Sequence, residues 1–144
     1  MINIAVLGYG TVGSGVVEVI NTNHESINKR AGDEINIKYV LDLRDFPGDP
    51  IQEKIVHDID VIINDPEVQI VVEVMGGVEP AYTFVKRCLE GGKRAWRHPT
   101  KRLWQSMARL FCLSQESGRS ISCFEASVGG GIPIIRALNS SLTA

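Results

Sequence analysis

The stretch Ile2-Asn3-Ile4-Ala5-Val6-Leu7-Gly8-Tyr9-Gly10-Thr11-Val12-Gly13 decides the fold, because it joins a short apolar run to a glycine-rich turn. Its first six residues have the length and composition of one buried strand. After the turn, apolar residues recur at helical spacing over Thr11–Ile20, and the helix could continue to Ile27. A second strand-like run, Ile35–Leu41, follows within the length of one β-α-β unit. Three glycines in this spacing, between a strand and a helix, are typical of a dinucleotide-binding turn.

Each glycine of the turn has a physical reason to be there in a dinucleotide-binding domain. Gly8 permits the tight turn, Gly10 lets the backbone approach a pyrophosphate, and Gly13 lets the helix pack closely on the strand. The free amides around Thr11 and Val12, at the start of the helix, would bind the phosphates. The alternative is a glycine-rich turn that serves packing alone.

Strands and helices alternate along the rest of the chain. A loop is predicted at Asp45–Pro50, and the further elements are a helical turn at Ile59–Asn64, a strand at Gln69–Met75, a helix from Pro80 to Leu89, a helix around Leu103–Glu116, a strand at Ile121–Phe124 and a helix from about Pro133. The apolar runs are too continuous for a sheet with one wet face. The sequence therefore predicts an α/β fold, a doubly wound parallel sheet of the Rossmann-type NAD(P)-binding class.

The amino-acid composition limits the classes of function that the chain can have. The 144 residues are 44% hydrophobic and 22% charged, as in ordinary globular domains, and the net charge of −2 gives no basic field for nucleic acid or a membrane surface. No apolar run is long enough to span a bilayer. The first residues have no signal-like pattern, so we expect a cytoplasmic location, and the three cysteines are expected to be reduced thiols.

Two places could select and position the cofactor. After the second strand, Asp42 would accept the ribose hydroxyls of NAD, whereas Arg44 would meet the 2′-phosphate of NADP. Asp45 lies beside them, and one or both of Asp42 and Arg44 could merely solvate the loop. Gly76-Gly77 follows the strand Gln69–Met75 and would let the backbone come close to the nicotinamide ribose, unless it is a plain turn. The cofactor is therefore NAD(P), with the choice left open.

The chain resembles the homoserine dehydrogenases. The resemblance is carried by Ile4–Gly13, by Val71-Val72-Glu73-Val74-Met75-Gly76-Gly77, and by Phe124-Glu125-Ala126-Ser127-Val128-Gly129-Gly130-Gly131-Ile132-Pro133-Ile134-Ile135, the last of which is highly specific. It implies an oxidoreductase that interconverts L-homoserine and L-aspartate 4-semialdehyde with NAD(P), a step toward threonine and methionine. It also implies a small-molecule substrate, homoserine, in the full-length parent, and allows a homodimer.

The resemblance further implies a sodium-like monovalent cation site in the last block. Its ligands would be the Glu125 carboxylate and the backbone carbonyls of Val128, Gly130 and Ile132. Hard oxygen donors suit such a cation. The alternative is that the glycine-rich run is a flexible connector.

Residues 94–109 depart from the family pattern, which has here an apolar strand, then Thr-(Ala/Pro)-Asn-Lys and an apolar helix. Lys101 lies near the position of the family's lysine, close to the cofactor, but its neighbours differ. Codons for Lys93 to Ala108, reread from each third base, can spell Lys-Ser-Val-Ala-Thr-Pro-Asn-Lys-Ala-Leu-Val-Ala-Lys-His-Gly. We therefore predict a frameshifted segment. Because buried arginines are costly, we expect this strand to be expelled from the sheet or poorly ordered.

The resemblance divides the chain into an NAD(P)-binding domain, residues 1–131, and the start of a substrate domain, residues 132–144. The family's catalytic lysine belongs to that later domain, so no catalytic residue is assigned here and the chain alone is expected to be inactive. His24, His57 and His98 are expected to be surface residues. The competing hypothesis is a non-catalytic NAD(P)-binding sensor module, which would have no need of the block Glu125–Ile135.

Overall fold

The computed structural model describes residues 1–77 and 79–95, together with the backbone of residues 96–97 and of one further strand, 122–124. The described elements, in chain order, are β1 Ile2–Leu7, α1 Thr11–Thr22, α2 His24–Ala31, β2 Ile35–Leu41, a 3-10 helix Pro50–Lys54, β3 Ile55–Val56, α3 Ile59–Asn64, β4 Val68–Glu73, α4 Ala81–Glu90, β5 Arg94–Arg97 and β6 Ser122–Phe124. No helix in the described ranges is long and apolar enough to cross a membrane.

The described strands form one parallel sheet in the order β3-β2-β1-β4-β5-β6. On one side, β1 pairs with β2 in a register that joins Leu7 to Leu41, and β2 continues to β3 through Leu41 and Val56. On the other side, β1 pairs with β4, which joins Leu7 to Glu73. The chain therefore winds outward in both directions from β1, and the predicted doubly wound parallel sheet is confirmed.

The side chains of successive β1 residues are buried on opposite faces of the sheet, as expected for a strand that is covered on both sides. Ile4 and Val6 join a cluster with Val16 and Ile20 of α1. Ala5 and Leu7 join a second cluster on the other face, with Ile59 and Ile62 of α3 and Cys88 of α4. Cys88 is a buried cysteine of this second core. The continuous apolar run Ile4–Leu7 thus contributes to two cores that lie on opposite faces of the same strand.

Several boundaries differ from the prediction. The first helix extends to Thr22, and Asn23 separates it from α2, so one long helix to Ile27 does not form. The predicted loop ends in a 3-10 helix because Asp49 accepts a hydrogen bond from the Ile51 amide and Pro50 fits the first turn. The predicted helices around Leu103–Glu116 and from Pro133 lie outside the described residues.

The prediction that the strand after Lys93 is expelled from the sheet is wrong. Arg94–Arg97 pairs in parallel with β4, with Arg94 beside Ile70, and it also pairs with β6. The backbone hydrogen bonds of a parallel pair do not depend on the identity of the side chains. The buried side chain of this strand is Ala95, which is 3% exposed and packs in one cluster with Val85 and Leu89. Arg94 is only half-buried, so the strand accommodates its charge at the side of the core.

Candidate functional site

The predicted site residues of the first block lie at the carboxyl edge of the sheet, where the winding reverses between β1 and β4. The backbone beyond β1 is held on both sides, since the Gly8 amide donates to the Leu41 carbonyl at 2.8 Å and the Val74 amide donates to the Leu7 carbonyl at 3.0 Å. Ligands of open α/β sheets bind in the crevice outside this edge, at such a reversal. The fold therefore places the glycine-rich turn where a dinucleotide would enter.

Gly8 and Gly13 are required by packing within the chain. Gly8 has a φ of +104°, which favours glycine, and a Cβ there would lie 3.0 Å from the Met75 Cα. A Cβ on Gly13 would lie 2.0 Å from the carbonyl oxygen of Gly8 and 2.9 Å from its carbonyl carbon. The first turn of α1 thus sits directly on the turn that precedes it, as the sequence predicted.

Gly10 differs from these two glycines. Its φ of −88° is open to any residue, and a Cβ built on it would meet nothing within 4 Å among the described residues. As the N-cap of α1 it provides no side-chain cap, and the first turn of the helix contains no acidic residue. The amides of Thr11, Val12 and Gly13 precede the first intrahelical bond, from Ser14 to Gly10 at 2.8 Å. The turn therefore presents uncapped amide groups and the positive end of a helix dipole.

Asp42 and Arg44 are brought together at the end of β2. The Oδ1 of Asp42 accepts hydrogen bonds from the backbone amide and the Nε of Arg44, both at 3.0 Å. Its Oδ2 accepts from Arg44 Nη2 at 3.0 Å and from the Tyr9 amide at 2.8 Å. The hydrogen bonds from Arg44 hold the pKa of Asp42 well below its usual range, against the opposing effect of burial. Asp42 is therefore a carboxylate fully engaged in linking β2 to the glycine-rich turn.

Tyr9 and Phe46 form an aromatic contact beside this pair. Their rings meet edge to face with centroids 4.9 Å apart, and the Arg44 guanidinium lies 5.1 Å from the Phe46 centroid. The Tyr9 hydroxyl donates to Asp49 at 3.2 Å, and burial together with the negative charge of Asp49 raises the pKa of Tyr9. The loop after β2 is thus fastened to the turn by its side chains.

His57 directly follows β3 and lies beside Asp42. Its Nδ1 is 2.7 Å from the backbone carbonyl oxygen of Asp42, and its Nε2 is 3.3 Å from Oδ1 of Asp45. The side chain is 52% exposed, in agreement with the predicted surface position. The histidine nevertheless belongs to the same edge of the sheet as Arg44, which the sequence did not indicate.

Gly76 and Gly77 follow β4, with φ values of +75° and +77°. Two successive left-handed residues are strained for any side chain but glycine's, so their backbone turn accounts for both glycines. Their predicted closeness to the nicotinamide ribose stays a prediction. Lys101 and the predicted cation ligands Glu125, Val128, Gly130 and Ile132 lie outside the described residues. Within the described ranges, no group of three or more His, Cys, Asp or Glu side chains could hold a metal ion.

Sequence reasoning missed the roles of Tyr9, Phe46, Asp49 and His57. Tyr9 stands between two glycines of the motif, but its partner Asp49 is forty residues away. His57 reaches the site only because a two-residue strand pairs with β2. Contacts of this kind depend on the register of a short edge strand, which hydrophobic periodicity cannot reveal.

Comparisons with known proteins agree with this geometry. A family model described as homoserine dehydrogenase, NAD binding domain, matches residues 8–123. The homoserine dehydrogenase of Helicobacter pylori is 39% identical over an alignment that covers 99% of this chain and 33% of that protein. For the homoserine dehydrogenase of Lactococcus lactis the identity is 35%, with coverage of 99% of this chain and 34% of that protein.

Solved structures give the same result. A homoserine dehydrogenase from Thiobacillus denitrificans superposes with a TM-score of 0.81 at 34% identity, covering 99% of this chain and 33% of that one. A homoserine dehydrogenase from S. aureus superposes with a TM-score of 0.78 at 36% identity, covering 90% of this chain and 33% of that one. The chain spans about a third of the length of the relatives it matches. It belongs to the family of the NAD-binding domain of homoserine dehydrogenases.

Proposed function

We propose that this chain binds NAD(P), with the pyrophosphate at the turn between β1 and α1. We further propose that the whole protein interconverts L-homoserine and L-aspartate 4-semialdehyde, on the route to threonine and methionine. The observation that carries the binding proposal is the open space at Gly10. Neither backbone strain nor a neighbouring atom of the described residues requires glycine there, so the packing alternative leaves Gly10 unexplained.

The other residues of the turn support the same reading. Gly13 brings the first turn of α1 against Gly8, so that the uncapped amides of Thr11 and Val12 face the crevice beyond β1. A diphosphate that entered there would accept hydrogen bonds from these amides and would lie at the positive end of the helix dipole. Bound NAD(P) would supply hydride transfer, and the residues of this chain would bind and orient it.

The remaining proposals concern residues beyond this turn. We also propose a domain boundary near residue 131, a position of Gly76 and Gly77 near the nicotinamide ribose, and a contact between Lys101 and the cofactor. The monovalent cation site at Glu125, a homodimer and a cytoplasmic location stay predictions as well. A non-catalytic sensor module is not favoured, because the matched family and relatives are dehydrogenases.

The binding proposal is tested by Gly10→Ala at the N-cap of α1, with Gly15→Ala inside α1 as the control. A Cβ at either position meets nothing within 4 Å among the described residues, so both variants should keep the fold. We expect Gly10→Ala to change the free energy of unfolding by no more than about 1 kcal/mol, the scale of an N-cap effect. It should weaken NADH and NADPH binding at least about tenfold, because the methyl group would occupy space that the pyrophosphate needs.

Binding is followed by nicotinamide fluorescence and stability by urea unfolding. If Gly10→Ala binds both nucleotides as tightly as Gly15→Ala and the unchanged chain, the pyrophosphate does not lie at this turn. The activity is tested separately, as homoserine-dependent formation of NAD(P)H by the whole protein. Absence of that reaction would contradict the proposed substrate and leave the binding proposal standing.

A further inference from the structure

We propose that His57 is a pH-dependent second cation of a 2′-phosphate site whose first cation is Arg44. The chain would then prefer NADP(H) over NAD(H) most strongly when His57 carries a proton. This inference rests on the proposed function, because it concerns the adenosine end of the same dinucleotide.

Asp42 is poorly placed to act as the ribose acceptor that would select NAD(H). Each of its carboxylate oxygens already accepts two hydrogen bonds, from Arg44 and from the Tyr9 amide, and only 10% of its side chain is exposed. Ribose hydroxyls would have to displace these charge-assisted bonds. Asp42 therefore acts as a positioning residue, which holds Arg44 at the end of β2.

Arg44 has donors left for a phosphate. Its Nε and Nη2 bond to Asp42, and Nη2 also donates to the Tyr9 carbonyl at 3.2 Å. Nη1 has no acceptor among the described residues, and 62% of the side chain is exposed. A guanidinium with one edge fixed and another edge open to solvent suits the planar recognition of a phosphate.

Charge at this edge of the sheet makes Arg44 insufficient by itself. The ionised Asp42 cancels its charge, and Asp45 adds a negative charge 3.3 Å from the His57 ring. Asp58, which caps α3 directly after His57, is a further carboxylate, whereas Gln52 of the 3-10 helix contributes only a neutral amide to Asp45. With a neutral His57 the surroundings are therefore net negative and oppose a phosphate dianion. A proton on His57 halves that excess, at the position closest to Asp45.

The geometry of the ring suits this second role. The Asp42 carbonyl can only accept, so Nδ1 of His57 carries a hydrogen and Nε2 is the nitrogen that gains the proton. Protonated Nε2 would donate to Asp45, whose side chain is 66% exposed and can swing away. A bound 2′-phosphate would take the place of Asp45 at this nitrogen.

The test compares the dissociation constants of NADP⁺ and NAD⁺ by calorimetry between about pH 5.5 and 8. The chain is measured unchanged, as His57→Gln, and as the matched control His24→Gln. His24 is exposed at the start of α2, which follows the end of α1 at the opposite edge of the sheet. The 2′-phosphate also titrates, near about pH 6, but equally with all three proteins.

Relative to His57→Gln, the unchanged chain should lose about tenfold of its preference for NADP⁺ over NAD⁺ from the lowest to the highest pH, the size of one charge-assisted hydrogen bond. His24→Gln should behave like the unchanged chain, and His57→Gln should keep only the dependence that the phosphate causes. An identical pH dependence in His57→Gln and the unchanged chain would overturn the inference, as would equal binding of the two nucleotides at every pH. Binding of neither nucleotide would instead contradict the proposed function itself.

Discussion

The contact between Gly13 and Gly8 predicts a large and local effect of Gly13→Ala. The added methyl carbon would lie 2.0 Å from the Gly8 carbonyl oxygen, whereas non-bonded heavy atoms prefer about 3.5 Å. The first turn of α1 must therefore move by more than about 1 Å. Overpacking of this kind costs about 1–3 kcal/mol, and the better helix propensity of alanine offsets up to about 1 kcal/mol of it.

Gly15→Ala is the matched control, since it makes the same change two residues later in the same helix. No described atom lies within 4 Å of the added carbon, so the variant should gain about 0.5–1 kcal/mol in stability. The propensity gain is common to both variants, so we expect them to differ by the overpacking cost, about 1–3 kcal/mol in the free energy of unfolding, measured by urea titration with circular dichroism.

Gly13→Ala should also weaken NADPH binding at least about tenfold, because the displaced turn carries the amides that would bind the pyrophosphate. Gly15→Ala should leave that affinity unchanged. Equal stability and equal affinity of the two variants would refute the view that α1 must pack directly on the Gly8 turn.

Three further predictions concern other parts of the chain. Asp42→Asn should lower the free energy of unfolding by about 1–3 kcal/mol at neutral pH. Because the pKa of the Asp42 carboxyl is depressed in the folded state, the difference between the variant and the unchanged chain should shrink as pH falls below about 4. Urea unfolding at a series of pH values measures this difference. Burial raises the pKa of the Cys88 thiol to about 11, so alkylation followed by peptide mass spectrometry should find this thiol protected in the native protein and reactive in urea. The gene should carry a compensating insertion and deletion that flank codons of about 93 and 110, and codons in this segment that cannot be reread as the family motif would rule the frameshift out.

The central strands and the turn could be predicted because their reasons are local. Ile4–Leu7 and Ile70–Val72 are continuously apolar, since each strand is covered on both faces. Glycine spacing then located the turn between strand and helix. The break at Asn23 could not be predicted in this way. The helical spacing of apolar residues continues to Ile27, whereas the helical backbone is interrupted at Asn23.

The adenosine end of the site shows what sequence leaves open. Asp42 and Arg44 are two positions apart in the sequence and favour different cofactors. Only their hydrogen bonds in the structure show that the Asp42 carboxylate positions the Arg44 guanidinium. The strand at Arg94 was misjudged for a related reason. Composition alone suggests that its charges are buried, whereas alternation along the strand buries Ala95 and leaves Arg94 half-buried.

The most direct test of dinucleotide binding at this edge is a titration of the 144-residue chain with NADH and NADPH, followed by nicotinamide fluorescence. Circular dichroism on the same sample establishes that the chain is folded. We expect saturable binding of at least one of the two nucleotides. A folded chain that binds neither would contradict the assignment of the glycine-rich turn as a cofactor site and would leave the family membership as a statement of ancestry alone.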